Sequence, residues 1–234
     1  ALVRPHFVNG THALCCAIFG NLRPGDTMLS VCGTPYDTLH NLIGIGTNKK
    51  NMGSLVEYGI NYEQVNLTED NRIDFESIEK HLKKNDSIKL VHIQRSTGYG
   101  WRKSLLVSEI KNIIDFVKKI RPNVICFVDN CYGEFIDTLE PTDVGADLAA
   151  GSLIKNIGGG IAPTGGYIVG KEEYVTQASY RLTVPGIGGE CGSTFGVMRL
   201  LYEGLFLAPH ISIEAVKSAI FCARIMVLAG FEVL

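Results

Sequence analysis

Short apolar runs separated by polar turns are the most regular feature of the chain, and they predict strands. Most of the runs are continuous rather than alternating with polar residues, which is typical of strands that are covered on both faces of a sheet. The predicted strands are residues 28–32, 60–65, 89–94, 124–129 and 166–170.

Segments with apolar residues at helical spacing lie between and after these strands. The pattern is clear at residues 74–84, which Asp74 is placed to cap, and at residues 106–120. This alternation predicts an α/β fold with a mainly parallel sheet covered by helices. Ligands of such sheets bind beyond the carboxyl ends of the strands. The remaining predicted helices are residues 13–20, 193–207 and 211–229, the last two joined at Pro209.

Composition narrows the classes of partner. The chain has 234 residues, of which 46% are hydrophobic and 20% charged, so it can bury a large core. Its net charge of -2 does not favour nucleic acid or an anionic membrane surface. No apolar run approaches the roughly 18 residues of a membrane span, and no secretory signal pattern is found. We expect a protein with no nucleic-acid or membrane partner.

The cysteines indicate a reducing compartment. There are seven, an odd number, with no CxxC pair, and most lie in apolar runs. Reduced core thiols in a cytoplasmic protein fit this usage better than a disulfide framework. The six histidines include no HExxH motif, so we expect no metal site. Residues 230–234 resemble the start of a strand, and we expect the chain to be one domain of a longer protein.

Lys155 is the only charged side chain between Asp147 and Lys171. Lysine is rarely buried without a partner. Burial favours the neutral amine, and a positioned neutral amine is what Schiff-base chemistry requires. The alternative is a lysine on an exposed glycine-rich loop, and the segment alone leaves both interpretations open.

Two segments have residues suited to an anion and to a planar ligand. Gly10, Thr11 and His12 precede the predicted helix at residues 13–20, and free N–H groups at a helix start bind anions. An ordinary helix cap is the alternative. Tyr36 follows Gly and Pro in a turn after a strand, so its ring either faces a planar ligand or packs within the loop.

Two other strand ends carry ionisable residues. Asp129 ends an apolar strand, where its carboxylate could bind a metal, a hydroxyl or a protonated ring nitrogen, or could cap the following turn. Arg95 and Ser96 follow the strand at residues 89–94. Arg95 is suited to clamp a carboxylate or phosphate, with a surface ion pair as the alternative.

The order of these features resembles that of the fold-type-I pyridoxal-phosphate enzymes. More narrowly, the chain resembles the cystathionine β-lyase/methionine γ-lyase-like family of aluminium resistance proteins. The resemblance covers essentially the whole chain in seven ordered segments. These segments are residues 8–13, 22–26, 33–38, 94–99, 128–134, 151–160 and 185–190.

The resemblance implies a fold and an assembly. The expected architecture is a three-layer sheet covered by helices, as in the large domain of the aspartate aminotransferase-like fold. Residues 1–234 would form this pyridoxal-phosphate-binding domain, without the N-terminal segment and the small C-terminal domain of the full protein. A homodimer or homotetramer is implied.

The resemblance also implies roles for matching residues. Lys155 would form the internal aldimine with pyridoxal 5'-phosphate and carry protons. Asp129 would pair with the pyridinium nitrogen so that the ring accepts electrons, and Tyr36 would stack on the ring. These three residues are the expected catalytic group. The cofactor-binding residues would be Gly10, Thr11, His12, Tyr36, Arg95, Ser96, Asp129, Ser152 and Lys155.

The activity implied is a carbon–sulfur lyase acting on a sulfur-containing amino acid of the cystathionine or methionine type. Transamination, racemisation, aldol cleavage and a non-catalytic binding role on the same scaffold remain alternatives. A nucleotide-binding domain would need GxGxxG after the first strand, and it is missing. Related lyases often have a hydroxyl residue where this chain has Ile154, and their Tyr-x-Arg phosphate element is not found, so the phosphate site must differ in detail.

Overall fold

Seven strands form one sheet in the computed structural model, which describes residues 1–46 and 51–233. The order across the sheet is β1-β7-β6-β5-β4-β2-β3. Strands β2 to β6 run parallel, whereas β7 is antiparallel to both β6 and β1. The mainly parallel sheet expected from the sequence is confirmed. The strands are β1 (Leu2–Arg4), β2 (Thr27–Ser30), β3 (Asn61–Gln64), β4 (Ile88–Gln94), β5 (Ile125–Asp129), β6 (Leu148–Ser152) and β7 (Gly166–Gly170).

Helices cover both faces of the sheet and complete three layers. Alternate residues of β5 point to opposite faces. Phe127 packs in one apolar cluster with α1 and α5, and Val128 packs in the other with α3 and α4. Among the described residues, no helix is at once long and apolar enough to cross a membrane. The helices are α1 (Gly10–Asn21), α2 (Asp37–Ile43), α3 (Phe75–Lys84), α4 (Val107–Ile120), α5 (Glu172–Leu182) and α6 (Met198–Leu228).

The predicted strands and the two clearest helices lie within two residues of their expected bounds. Asp74 caps α3 as expected, since its carboxylate accepts from the backbone N–H of Ser77 at 2.9 Å. The sequence pattern misses β1, β6, α2 and α5. Strand β6 has few of the β-branched or aromatic residues that mark strands, and burial between β5 and β7 decides its conformation instead.

The two helices predicted around Pro209 are one continuous helix, α6, so that prediction is wrong. Proline within a helix removes one backbone hydrogen bond and crowds the preceding turn, at a cost of about 3 kcal/mol. The turns around it keep packing, because Gly204, Ala208 and Ser212 recur every four residues and are all buried. The strand expected at residues 230–234 is also absent from residues 230–233, which follow the helix as a turn and an irregular segment.

Helix α6 lies against the segment that follows β6 with almost no space between the two backbones. A Cβ atom on Gly204 would lie 2.2 Å from the carbonyl oxygen of Gly158. A Cβ on Gly159 would lie 2.4 Å from the carbonyl oxygen of Gly204. Because both obstacles are backbone atoms, they cannot rotate away. The packing of α6 therefore requires glycine on both sides.

We predict that Gly204→Ala destabilises the full-length protein by about 1–3 kcal/mol, since the added methyl group overpacks the contact with Gly158. This cost exceeds the gain of up to about 1 kcal/mol from replacing glycine within a helix. Chemical denaturation measures the change. Glu203→Ala, at the exposed neighbouring position, is the control and should stay within about 0.5 kcal/mol of the wild type. Equal stability of the two variants would contradict the contact.

Candidate active site

A cleft of about 630 Å³ opens at the carboxyl ends of β4, β5 and β6, which is a volume typical of small-molecule sites. The parallel strands bring distant parts of the chain to this edge of the sheet. Eight of the nine residues expected to bind a cofactor line the cleft, and His12 does not. The eight are Gly10, Thr11, Tyr36, Arg95, Ser96, Asp129, Ser152 and Lys155.

One end of the cleft is a cup suited to an anion. The first turn of α1 lies directly against the end of β6, since a Cβ on Gly10 would come within 2.8 Å of the Cβ of Ser152. The hydroxyl of Thr11 is 3.0 Å from that of Thr38, which also lines the cleft. The N-terminus of a helix carries free N–H groups and a partial positive charge. The cup thus combines a helix start with three hydroxyl groups.

His12 lies next to this cup but does not line it. Its N–H donates to the side chain of Asn9, the N-cap residue, at 2.9 Å. The ring points elsewhere: Nδ1 accepts from the N–H of Val8 at 3.2 Å, and the ring edge packs on Phe7. Burial lowers the pKa of His12, which keeps the accepting nitrogen free of a proton. We assign the side chain to the local fold of the helix start.

Asp129 forms part of the floor of the cleft and is only 3% exposed. Burial raises the pKa of its carboxyl, while hydrogen bonds from Cys131 and the charge of Lys155 lower it. Oδ1 accepts from the backbone N–H of Cys131 at 3.1 Å. Because these contacts do not fully offset burial, the carboxylate would gain stability from a cation in the cleft.

Lys155 lies in the same cleft and is half-buried, between the two alternatives considered for it. It follows β6 by three residues, and its N–H donates to the carbonyl of Ser152 at 3.4 Å. Its Nζ lies over the ring of Tyr132, 4.2 Å from the centroid. The amine is therefore presented to the cleft from a segment held by β6 on one side and α6 on the other.

Tyr36 lines the cleft with one ring face packed on another tyrosine. Its ring stacks on Tyr99, with the centroids 5.4 Å apart and the planes at 28°. The hydrogen bond to Tyr99, followed by desolvation, raises the pKa of Tyr36 to about 12. The phenol therefore keeps its proton at neutral pH, and Tyr99 limits the positions that the ring can take.

Arg95 is buried, and its guanidinium is engaged beneath the cleft. The side chain is 4% exposed, and Nη1 donates to Oδ1 of Asn130 at 2.9 Å and lies 3.5 Å from Glu140. The surface ion pair considered for Arg95 is therefore not what the structure shows. Arg95 ties β4 to the turn after Asp129. Ser96 lines the cleft, and its carbonyl accepts from Gln94 at 3.0 Å.

A buried polar network lies behind this turn, and the sequence patterns did not indicate it. The hydroxyl of Tyr167 donates to Oε1 of Glu134 at 2.6 Å and accepts from Nδ2 of Asn130 at 3.3 Å. Among the described residues, Oε2 of Glu134 has no hydrogen-bond partner. Burial raises the pKa of Glu134 to about 7, against the opposing effect of Tyr167.

The sequence patterns also miss polar and aromatic residues that line the cleft, among them Thr38, Tyr99, Cys131 and Tyr132. All four lie in segments that carry the family resemblance, but no chemical pattern sets them apart. Within residues 1–46 and 51–233, no group of three or more potential metal-binding side chains is present.

Comparison with known proteins identifies a family. The family model for methionine gamma-lyase matches residues 1–234. The protein YnbB of Bacillus subtilis is 51% identical over 230 residues, which are 98% of this chain and 54% of YnbB. The chain thus spans about half the length of this relative.

Solved structures agree with this match. The crystal structure of a carbon-sulfur lyase involved in aluminium resistance from Clostridium novyi is 72% identical, with a TM-score of 0.94 over 98% of this chain and 54% of that one. The pyridoxal-5'-phosphate-dependent protein YhfS from Escherichia coli is 17% identical, with a TM-score of 0.66 over 98% of this chain and 54% of that one. The likeness to YhfS shows a shared fold alone.

The buried carboxyl of Glu134 predicts a pH dependence of stability. Its pKa is about 7 when folded and near 4.5 otherwise, so the folded state binds the proton more tightly. The stabilising contribution is therefore full below about pH 4.5 and is lost as the pH rises through about 7. The loss reaches about 3 kcal/mol at most.

Denaturation of the cofactor-free full-length protein between about pH 5 and pH 8 measures this slope, and Glu134→Gln should flatten it. Asp129 and Glu140 act on the same carboxyl, while Tyr167 is its hydrogen-bond donor. Glu140→Gln is the matched control and should retain most of the slope. An unchanged slope in Glu134→Gln would assign the pH dependence to other groups.

Proposed function

The chain belongs to the methionine gamma-lyase family, and on that premise we propose that it is a pyridoxal-phosphate-dependent carbon–sulfur lyase. The proposed substrate is a sulfur-containing amino acid of the cystathionine or methionine type. One observation carries the proposal: Lys155, Asp129 and the anion cup at the start of α1 line a single cleft. This combination supplies an amine, a buried carboxylate and an anion site within one small-molecule volume.

The residues of the cleft fit pyridoxal phosphate by their chemistry. The N-terminus of α1 with Thr11 and Ser152 would hold the phosphate, because the close contact of Gly10 with Ser152 places the helix start beside the end of β6. Asp129 would hold a protonated ring nitrogen, which is the cation that its buried carboxylate lacks. Tyr36 would form a wall of the ring site, and Lys155 would hold the cofactor covalently.

When bound, the cofactor supplies an electron-accepting ring that stabilises negative charge at the substrate α-carbon. The chain's own residues then perform the proton chemistry. Lys155 Nζ, freed when the amino group of the substrate replaces it, takes the proton from the α-carbon as a general base. The buried carboxylate of Asp129 would keep the ring nitrogen protonated at the floor of the cleft. Arg95 fixes the turn next to Asp129 through its hydrogen bond to Asn130. Loss of the thiolate, which takes up a proton, would leave an unsaturated amino acid, and water would hydrolyse it to the 2-oxo acid and ammonia.

The proposal also covers the oligomeric state, the cellular compartment and the domain that this chain forms. We propose a homodimer or homotetramer in the cytoplasm, acting on a small amino acid, with residues 1–234 as the large, cofactor-binding domain. Exposed apolar side chains on α6, including Phe206 and Phe221, support an assembly that covers part of this helix. Sedimentation of the full-length protein tests it, and a monomer that binds the cofactor would count against it.

Binding of the cofactor gives a direct spectroscopic prediction. Full-length protein supplied with pyridoxal phosphate should show an absorption band near the edge of the visible range that survives dialysis. Lys155→Ala should lose this band because the covalent attachment is lost. Lys103→Ala removes an exposed lysine outside the cleft lining and should retain it. A wild-type protein without the band would refute cofactor binding.

The reaction is tested with cystathionine, methionine, cysteine and homocysteine, by following the release of pyruvate or 2-oxobutanoate. We expect one of these products together with a thiol. Asp129→Asn should lower kcat on the order of 100-fold, since it removes a charge that acts during the reaction. Amino-group transfer, racemisation or aldol cleavage without thiol release would replace the lyase assignment with another reaction of the same cofactor.

A further inference from the structure

Tyr132 contacts the amine of Lys155 and is not part of the hydrophobic core. Lys155 Nζ lies 4.2 Å from the centroid of its ring. The residue is 60% exposed, and it forms part of the cleft wall. Burial therefore does not explain why this ring lies where it does.

The backbone of Tyr132 is in a conformation that side chains rarely adopt. Its φ is 67°, in the left-handed region that favours glycine. Such a conformation has an energetic cost and persists only where the surrounding structure imposes it. Tyr132 gains little burial in exchange for that cost.

The surrounding contacts that impose this conformation include one from the residue next to Lys155. The side chain of Asn156 donates to the carbonyl oxygens of Tyr132 and Glu134, each at 3.1 Å. On the other side, a Cβ on Gly133 would lie 2.4 Å from Cδ of Arg95, so the turn is packed tightly from below. The Lys155 segment and the turn after Asp129 are therefore fastened to each other.

We propose that Tyr132 is a positioning residue for Lys155. Its ring face holds Nζ against the cleft wall whenever the amine is free, and it stabilises the ammonium form in which Lys155 carries the substrate proton. This inference rests on the proposed function, because it assigns Tyr132 to the proton transfer performed by Lys155. Tyr132 itself exchanges no proton and forms no bond.

The proposal predicts that loss of the Tyr132 ring lowers kcat and leaves KM almost unchanged. A ring face attracts a cation more than a neutral amine, so its removal weakens the state in which Nζ holds the proton. Substrate binding does not involve that contact. We therefore expect Tyr132→Gly to lower kcat by roughly two- to five-fold while KM stays within about two-fold. Tyr132→Phe keeps the ring face and should behave as the wild type.

Glycine is chosen because it adopts a positive φ without strain, so the turn should keep its fold when the ring is removed. Tyr132→Asn provides a second variant without the ring, since asparagine also tolerates this conformation. A loss of activity in Tyr132→Phe equal to that in Tyr132→Gly would assign the effect to the hydroxyl and overturn the proposal. A rise in KM with unchanged kcat would overturn it as well.

A measurement on the cofactor-free protein tests the contact independently of activity. In full-length protein labelled with [13C]lysine, the side-chain methylene signals nearest Nζ of Lys155, assigned with Lys155→Arg, should be shifted by the aromatic ring. The shift should persist in Tyr132→Phe and vanish in Tyr132→Gly and Tyr132→Asn. No shift in the wild type would overturn the proposal, whereas a failure of the proposed function would appear separately as a missing cofactor band.

Discussion

The contact between the first turn of α1 and the end of β6 is the constraint on which the cleft depends. Gly10 and Ser152 approach so closely that no side chain fits between them. This approach brings the helix start, whose Gly10 and Thr11 line the cleft, to the end of the sheet. It also fixes the end of β6, from which the chain reaches Lys155 three residues later. A single glycine contact thus joins the anion cup to the candidate nucleophile.

Ionisable side chains are buried at the same edge of the sheet. Arg95 and Glu134 are both almost fully buried, and each is held by groups from the turn after Asp129 or from β7. Removing one partner of such a buried network costs more than forming it contributes. The turn is consequently stiff, and it aims Asp129 at the floor of the cleft and Tyr132 at Lys155 from the same few residues. Stability and chemistry depend here on shared contacts.

The sequence predicts the helices and strands that have a strong hydrophobic pattern. It also predicts most of the candidate site residues that lie at the ends of these elements. Continuous apolar runs mark β4 and β5, and the ends of parallel strands meet at one edge, so the pattern alone predicts that Asp129 and Arg95 lie there. The sequence pattern does not predict strand β6, because alanine, glycine and serine have little preference for strands. Its conformation is determined by the neighbouring strands. The position of the His12 ring and the contact of Tyr132 with Lys155 depend on rotamers and on a left-handed φ that no linear pattern encodes.

The cleft divides into a floor and a rim with different physical demands. The floor, formed by the anion cup and Asp129, matches groups that any pyridoxal-phosphate enzyme must hold. The rim includes Tyr36, Tyr99 and Tyr132, of which Tyr99 is 83% exposed. The exposed ring of Tyr99 has little role in stability, so of these three tyrosines it is the one free to differ according to the substrate. Under the proposed function, Tyr99 rather than Tyr132 would therefore respond to the substrate side chain, where one added methylene changes binding by about 1–3 kcal/mol.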